Sequence, residues 1–416
     1  MHQSICFRMF KKQAILLLLF LSTGNFTKAY SQETTSDTLS NVEKEAYRDY
    51  QYIIAPNYDL RNSSVNTRTT GKLLHDAFTR GIGPQIKNKT VRSISEGVWS
   101  FGTIFYTMLM GHEFGHMLRA KQADGRFTIQ KFSFPVIYGK MDLPPDHTLE
   151  ESILSVAGGF EVNYLMVKDI QLDLYKHHSL YNDELSLSFT NRLMYPVYFS
   201  LIAPVDPDKT ETWENTMGDP IHWIKPIWKR SGNEIFKDGS VNPALSRFYK
   251  QAALASLLWN FVDINFYSEV AGSFGDNLEG QHAKYLIGNQ TNGWGYGTFF
   301  NTSVLGAELH MTNYFRFNEK LYTLRASYGF PFRNIGGGIG AYEVLAKNSK
   351  INFDVMLDVW GQEFYNKGFA LSVNTNYSIG NYFDLRMQTG YKTEGYSMGR
   401  IINQGFIGYL GLRYKL

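Results

Sequence analysis

Residues 351–379 read INFDVMLDVWGQEFYNKGFALSVNTNYSI, and they are written in period two. Ile351, Phe353, Val355, Leu357 and Val359 alternate with Asn352, Asp354, Met356, Asp358 and Trp360. Phe369, Leu371, Val373, Thr375, Tyr377 and Ile379 then alternate with small or polar residues. Successive side chains of a strand point to opposite faces, so the pattern predicts two strands with one apolar, aromatic face and one face that carries ions. The pattern extends both ways. Tyr322, Leu324, Ala326, Tyr328 and Phe330 form an earlier strand. After a Gly380-Asn381 turn, Phe383, Leu385 and Met387 alternate with Asp384, Arg386 and Gln388. The last strand sets Phe406, Gly408, Leu410, Leu412, Tyr414 and Leu416 against Tyr409, Arg413 and Lys415. About six strands between 290 and 416 meet the alternation criterion.

These strands run to about 9–12 residues, the length that crosses a bilayer when tilted. A chain that ends on an apolar, aromatic strand resembles an outer-membrane β-barrel. A soluble antiparallel sheet with one wet face shows the same alternation, so both readings stand at this point.

Upstream the period changes. Ser93 and Glu96 have capping-box spacing, and the fifteen residues Gly97 to Gly111 carry no charge. A helix over about 94–120 is predicted, with Arg119, Lys121 and Gly125 at its end. Phe132, Phe134, Val136 and Tyr138 suggest a strand, and Lys140 to Pro145 a loop. Thr148 and Glu151 open a second, apolar helix. Two more helices are expected around 188–203 and 243–270, separated by a Pro-, Asp- and Trp-rich loop region over 204–242. The fold class expected is α+β: a helical domain over 93–275, then an antiparallel region over 290–416.

The N-terminus has the layout of an export signal. Arg8, Lys11 and Lys12 precede the apolar run Ala14 to Leu21, and small residues follow near Ser31. Residues 1–31 are read as a signal peptide and 32–92 as a polar leader and mixed segment. Cys6, the single cysteine, falls within that signal, so disulfides and cysteine-held metal are excluded from the exported chain. The net charge of +3 and the absence of a basic patch argue against a nucleic-acid partner. The expected location is the outer membrane or periplasm.

The chemistry lies in His112-Glu113-Phe114-Gly115-His116. Residues four apart on a helix share one face, so His112 and His116 can reach one metal ion. Glu113 stands beside them as a general base for metal-activated water. A catalytic site of this kind needs a third protein ligand and one open position. A carboxylate inside an apolar helix is costly unless it is paired or bound to metal, and Glu161 stands in such a helix. Gly115, Gly158 and Gly159 would let the two helices approach closely.

HEFGH on a helix resembles the zincin metallopeptidases, the gluzincins in particular. That resemblance implies a zinc ion held by His112, His116 and Glu161, a catalytic Glu113, and a peptide or protein substrate. A second resemblance rests on Gly159 to Asn163, which reads G-x-x-x-N, together with HExGH on an apolar helix. This is similar to the intramembrane site-2 proteases, where the third ligand would be an aspartate further on, here Asp263. Asn163 and His222 are auxiliary candidates, His222 as a transition-state donor. A non-enzymatic barrel or scaffold protein with a structural metal site is the other reading.

Overall fold

One long helix, buried along most of its length, organises the chain. In the computed structural model of the protein it spans Leu149–His177, and Ile153, Phe160, Val162, Leu165, Met166, Val167 and Ile170 are all buried. Apolar residues spread around a helix have to be enclosed, and here a sheet wraps one side of it and helices cover the other. The structure describes residues 46–56, 58–133, 136–199, 206–215, 218–275, 280–345 and 349–415. The proposed signal and most of the leader lie outside them, as does Phe134.

In chain order the helices are α1 (Leu60–Asp76), α2 (Lys89–Gln122), α3 (Leu149–His177), α4 (Asn182–Val197), α5 (Thr210–Asn215), α6 (Asp219–Arg230), α7 (Pro243–Val262) and α8 (Phe266–Phe274). Three short pairings, β2 (Arg126–Ser133) with β3 (Val136–Asp142), β4 (Ser179–Tyr181) with β7 (Gly280–His282), and β5 (Phe236–Lys237) with β6 (Ser240–Val241), lie apart from the main sheet. That sheet contains β1 (Asp49–Ile54), β8 (Ile287–Gly288), β9 (Gly293–Ser303), β10 (Gly306–Phe317), β11 (Lys320–Pro331), β12 (Asn334–Tyr342), β13 (Ile351–Gln362), β14 (Asn366–Ile379), β15 (Phe383–Lys392) and β16 (Gly405–Lys415).

The α+β class and the strand-rich C-terminal part are as expected. The ten strands are antiparallel in the order β1-β16-β15-β14-β13-β12-β11-β10-β9-β8. The sheet is open, since β1 and β8 do not pair. The segment read as leader and mixed supplies β1, which joins the C-terminal strand, and also α1. The helix α2 starts earlier than its predicted capping box. Asn88 is its cap and accepts from Thr90 N and Val91 N, leaving Ser93 and Glu96 in the interior. The Thr148–Glu151 box does cap α3. The region read as loop contains α5 and α6.

The two faces of the sheet are inverted relative to a water-soluble sheet. One row across four strands runs Leu357, Leu371, Tyr391 and Phe406; Leu371, Tyr391 and Phe406 are 45%, 38% and 84% exposed. The row behind it runs Asp354, Asn374, Gln388 and Tyr409, each 8% exposed or less. Asp384 sits opposite Arg413 on that inner face and pairs with it and with Lys415. A soluble sheet buries its apolar face and wets its polar one. Here the apolar face points out.

The open edges are covered by side chains. On β1, Asn66 of α1 bonds both Ile53 N and Ile53 O, at 2.8 and 2.9 Å, and Thr69 bonds both Gln51 N and Gln51 O. On β9, Asp263 accepts from Thr298 N at 2.6 Å and Arg192 donates to Thr298 O at 2.5 Å. An edge strand presents unpaired N–H and C=O groups; these are matched by helix side chains in place of another strand. No helix among the described residues is long and apolar enough to cross a membrane.

Candidate metal centre

The helices α2 and α3 cross at glycines. A Cβ on Gly115 would lie 2.1 Å from Gly158 O, and one on Gly159 would lie 2.6 Å from His116 Nε2. Any larger residue at these points would push the helices apart. Both histidines are therefore held against the α3 backbone, 2% and 4% exposed.

Each imidazole is oriented from behind. His112 Nδ1 is 2.9 Å from Asn163 Oδ1. The Asn163 amide donates to Met108 O and Asn191 Oδ1, which turns its oxygen toward the ring. His112 Nδ1 is therefore assigned as the donor. His116 Nδ1 donates to Ser155 O at 2.8 Å. With each Nδ1 turned to its acceptor behind the ring, the two Nε2 atoms are the ones presented to the site. They face one another at 3.1 Å.

The third member is Asp219. Its Oδ2 is 3.1 Å from His112 Nε2 and 3.4 Å from His116 Nε2. His112, His116 and Asp219 form a group that could hold a metal ion. The three atoms converge on one point, which a metal ion or a proton on an Nε2 atom can occupy. Burial pushes the Asp219 carboxyl up, yet the imidazoles of His116 and His112 hold it well below the usual carboxylate range. Burial opposes charge on His116, but the Asp219 carboxylate raises its pKa to about 9.

Asp219 comes from the first turn of α6, where a negative charge is favoured by the helix dipole. Ile221, Trp223, Ile224 and Ile227 bury that helix. The signal was present in the sequence as a carboxylate followed by Pro220 at the head of an apolar-periodic run. Reading 204–242 as loop hid it. His222 lies one turn further on, near the surface; partial loss of solvent lowers its pKa and the Asp219 charge opposes this.

Glu113 is 8% exposed, and burial raises its carboxyl pKa against the pull of both imidazoles. The β2–β3 hairpin covers this side. The Phe127 ring stacks 6.5 Å from His116, and a Cβ on Gly139 would come within 2.9 Å of Glu113 Oε2. The Tyr198 ring lies 6.3 Å from His112.

Glu161 is not brought to the histidines. It is fully buried and holds Arg119 at 2.6 Å, Tyr396 Oη at 3.0 Å and Gly399 N at 2.5 Å. The costly buried carboxylate is paired with an arginine, which the periodicity of α3 does not reveal. Asp263 also stands elsewhere. It ends α7 and accepts from Arg192, Gln171, Thr298 N and Asn265 N. The carboxylate beside the two imidazoles is Asp219, which neither resemblance named.

No protein-family model, curated protein or solved structure matches the chain. The site therefore has to be read from its own chemistry. Asn163→Ala tests the orienting role directly. Loss of the Nδ1 acceptor is expected to weaken metal binding about 10–100-fold while the fold persists. Competition with a chromogenic chelator measures this; unchanged affinity would remove Asn163 from the site.

Proposed function

We propose that this chain is a zinc-dependent peptidase of a bacterial cell envelope, with His112, His116 and Asp219 as the ligand set and Glu113 as general base. The observation that carries the reading is the convergence of two Nε2 atoms and one carboxylate oxygen at 3.1–3.4 Å from one another. Tetrahedral zinc with bonds of about 2.0–2.1 Å has ligand atoms about 3.3 Å apart. The metal, when bound, supplies Lewis acidity, which makes water nucleophilic near neutral pH and polarises a carbonyl oxygen.

The residues of the chain do the rest. Asn163 and Ser155 O hold the two rings in the tautomer that offers Nε2. Glu113 takes the proton of the attacking water and returns it to the departing amine. Its raised pKa suits both steps, since a group poised nearer neutrality can accept and then donate. Phe127 and the hairpin restrict solvent at this face.

Glu113→Gln is expected to keep the metal and to lower turnover of a peptide library about 10²–10⁴-fold. Elemental analysis and mass-spectrometric product detection read the two effects. Cleavage at the wild-type rate would take the base role from Glu113. A wild-type protein without metal would leave the scaffold reading.

We also propose that the outer face of the sheet lies against lipid of the outer membrane. The inversion of its faces supports this, because lipid accepts the apolar side chains and excludes the ions. The capped edges of β1 and β9 support it too, since unpaired backbone groups are not tolerated in hydrocarbon. Leu371→Arg is expected to cost about 2–4 kcal/mol in vesicles if that residue lies near the bilayer midplane. Denaturant-driven unfolding from vesicles measures it. A change within about 0.5 kcal/mol, as at an ordinary wet surface, would reject lipid contact.

A further inference from the structure

A groove of about 670 Å³ lies between the N-terminal half of α2 and the segment from Leu74 to Ile86, which ends α1 and runs on past it. Leu74, Phe78 and Ile86 form one wall, and Val98, Trp99 and Tyr106 lie on the opposite side. Its volume is in the range of ligand pockets, about 300–1,000 Å³. No charged side chain is among its lining residues, and its side-chain polar groups are the Ser95, Thr103 and Tyr106 hydroxyls and the Trp99 indole N–H, which is bonded to Leu74 O.

Three observations assign it an occupant. The first is direction. Ser95 and Glu113 are about five whole turns apart on α2, so the groove side of the helix is also the side of the proposed base. Tyr106, at the near end, is about two turns or about 10 Å short of Glu113. The second is continuity with the exposed apolar surface. Ile94, Val98 and Phe101 of the same half-helix are 63%, 69% and 50% exposed. The third is Gly102. An interior helical glycine costs about 1 kcal/mol relative to alanine, and a Cβ there would meet nothing within 4 Å. No packing inside the chain requires it; a side chain there would project into the groove.

We propose that this groove seats the hydrocarbon chain of an acylated peptide, and that the peptide part then reaches the metal centre. An extended polypeptide is a poor occupant. It would bring an N–H and a C=O at every residue into a groove with almost no groups to bond them. An acyl chain brings none. The proposal rests on the peptidase reading for the position of the cleaved bond, but occupancy of the groove is measured without turnover.

The test uses the full chain carrying Glu113→Gln, in nanodiscs. The probe is a short peptide with an N-terminal dibromostearoyl group, whose bromines quench a touching indole. The Trp99 signal is taken as the difference from Trp99→Phe. Saturable Trp99 quenching is expected, relieved by the unbrominated stearoyl peptide and not by the same peptide without its acyl chain. Gly102→Leu should raise the apparent Kd at least about tenfold, as denying burial to a few methylene groups would. Val98→Trp, at an exposed position of the same groove, is a second blocking variant should Gly102→Leu fold poorly. Equal competition by the acyl-free peptide, or no effect of either blocking variant, overturns the proposal. Equal quenching by a brominated phospholipid at the same mole fraction also overturns it and makes the groove a seat for bulk lipid. Loss of peptidase activity as a function of this chain would leave the quenching result standing, so the two failures are distinguishable.

Discussion

Asp219→Ala is expected to release the metal, and with it all turnover, while the fold stays intact. Removing a ligand should weaken binding by more than the 10–100-fold typical of a lost outer partner. The two imidazoles that remain do not make the three-ligand set of a catalytic site. The fold should tolerate the change because the Asp219 side chain is 21% exposed and sits in the first turn of a helix anchored by Trp223 and Ile224. Among the described residues, no arginine or lysine is paired with Asp219 for its loss to strand. Elemental analysis after dialysis, beside thermal melting, reads both effects. Metal retained at one ion per chain in the variant would remove Asp219 from the ligand set.

Glu161→Ala is expected to do the opposite. Arg119 would be left buried without its carboxylate, and Tyr396 and Gly399 N would lose their acceptor. Breaking a buried pair by removing one partner costs about 3–5 kcal/mol. Arg119 also donates to Arg400 O, so this cluster ties the crossing of α2 and α3 to the loop between β15 and β16. The folded fraction should still bind metal with near wild-type affinity. Chemical denaturation gives the stability change and chelator competition the affinity. Metal lost with stability unchanged would return Glu161 to the metal centre.

The contrast between these two carboxylates shows what local pattern can and cannot supply. The alternation of Leu371, Val373 and Tyr377 with Ser372, Asn374 and Asn376 specifies strands, because the side-chain period of two is a property of the backbone. The same holds for the Thr148–Glu151 cap and for His112 and His116 on one helix face. The Gly-rich β12 was not legible. Gly336, Gly337, Gly338 and Gly340 have no side chains to alternate, and pairing with β11 and β13 alone makes them a strand. Nor was β1, whose partner β16 is at the other end of the chain.

By itself, then, the sequence determined the α+β division, most of the long strands, the pair of histidines and the adjacent Glu113. Tertiary structure alone decided which carboxylate joins them and which face of the sheet is exposed. Both are questions about partners remote in the chain. Glu161 was the carboxylate read as ligand and Asp219 was passed over, until Arg119 is seen to pair with the first and the imidazoles with the second. The apolar and ionic faces of a strand are interchangeable until α3 is seen to pack against the ionic one.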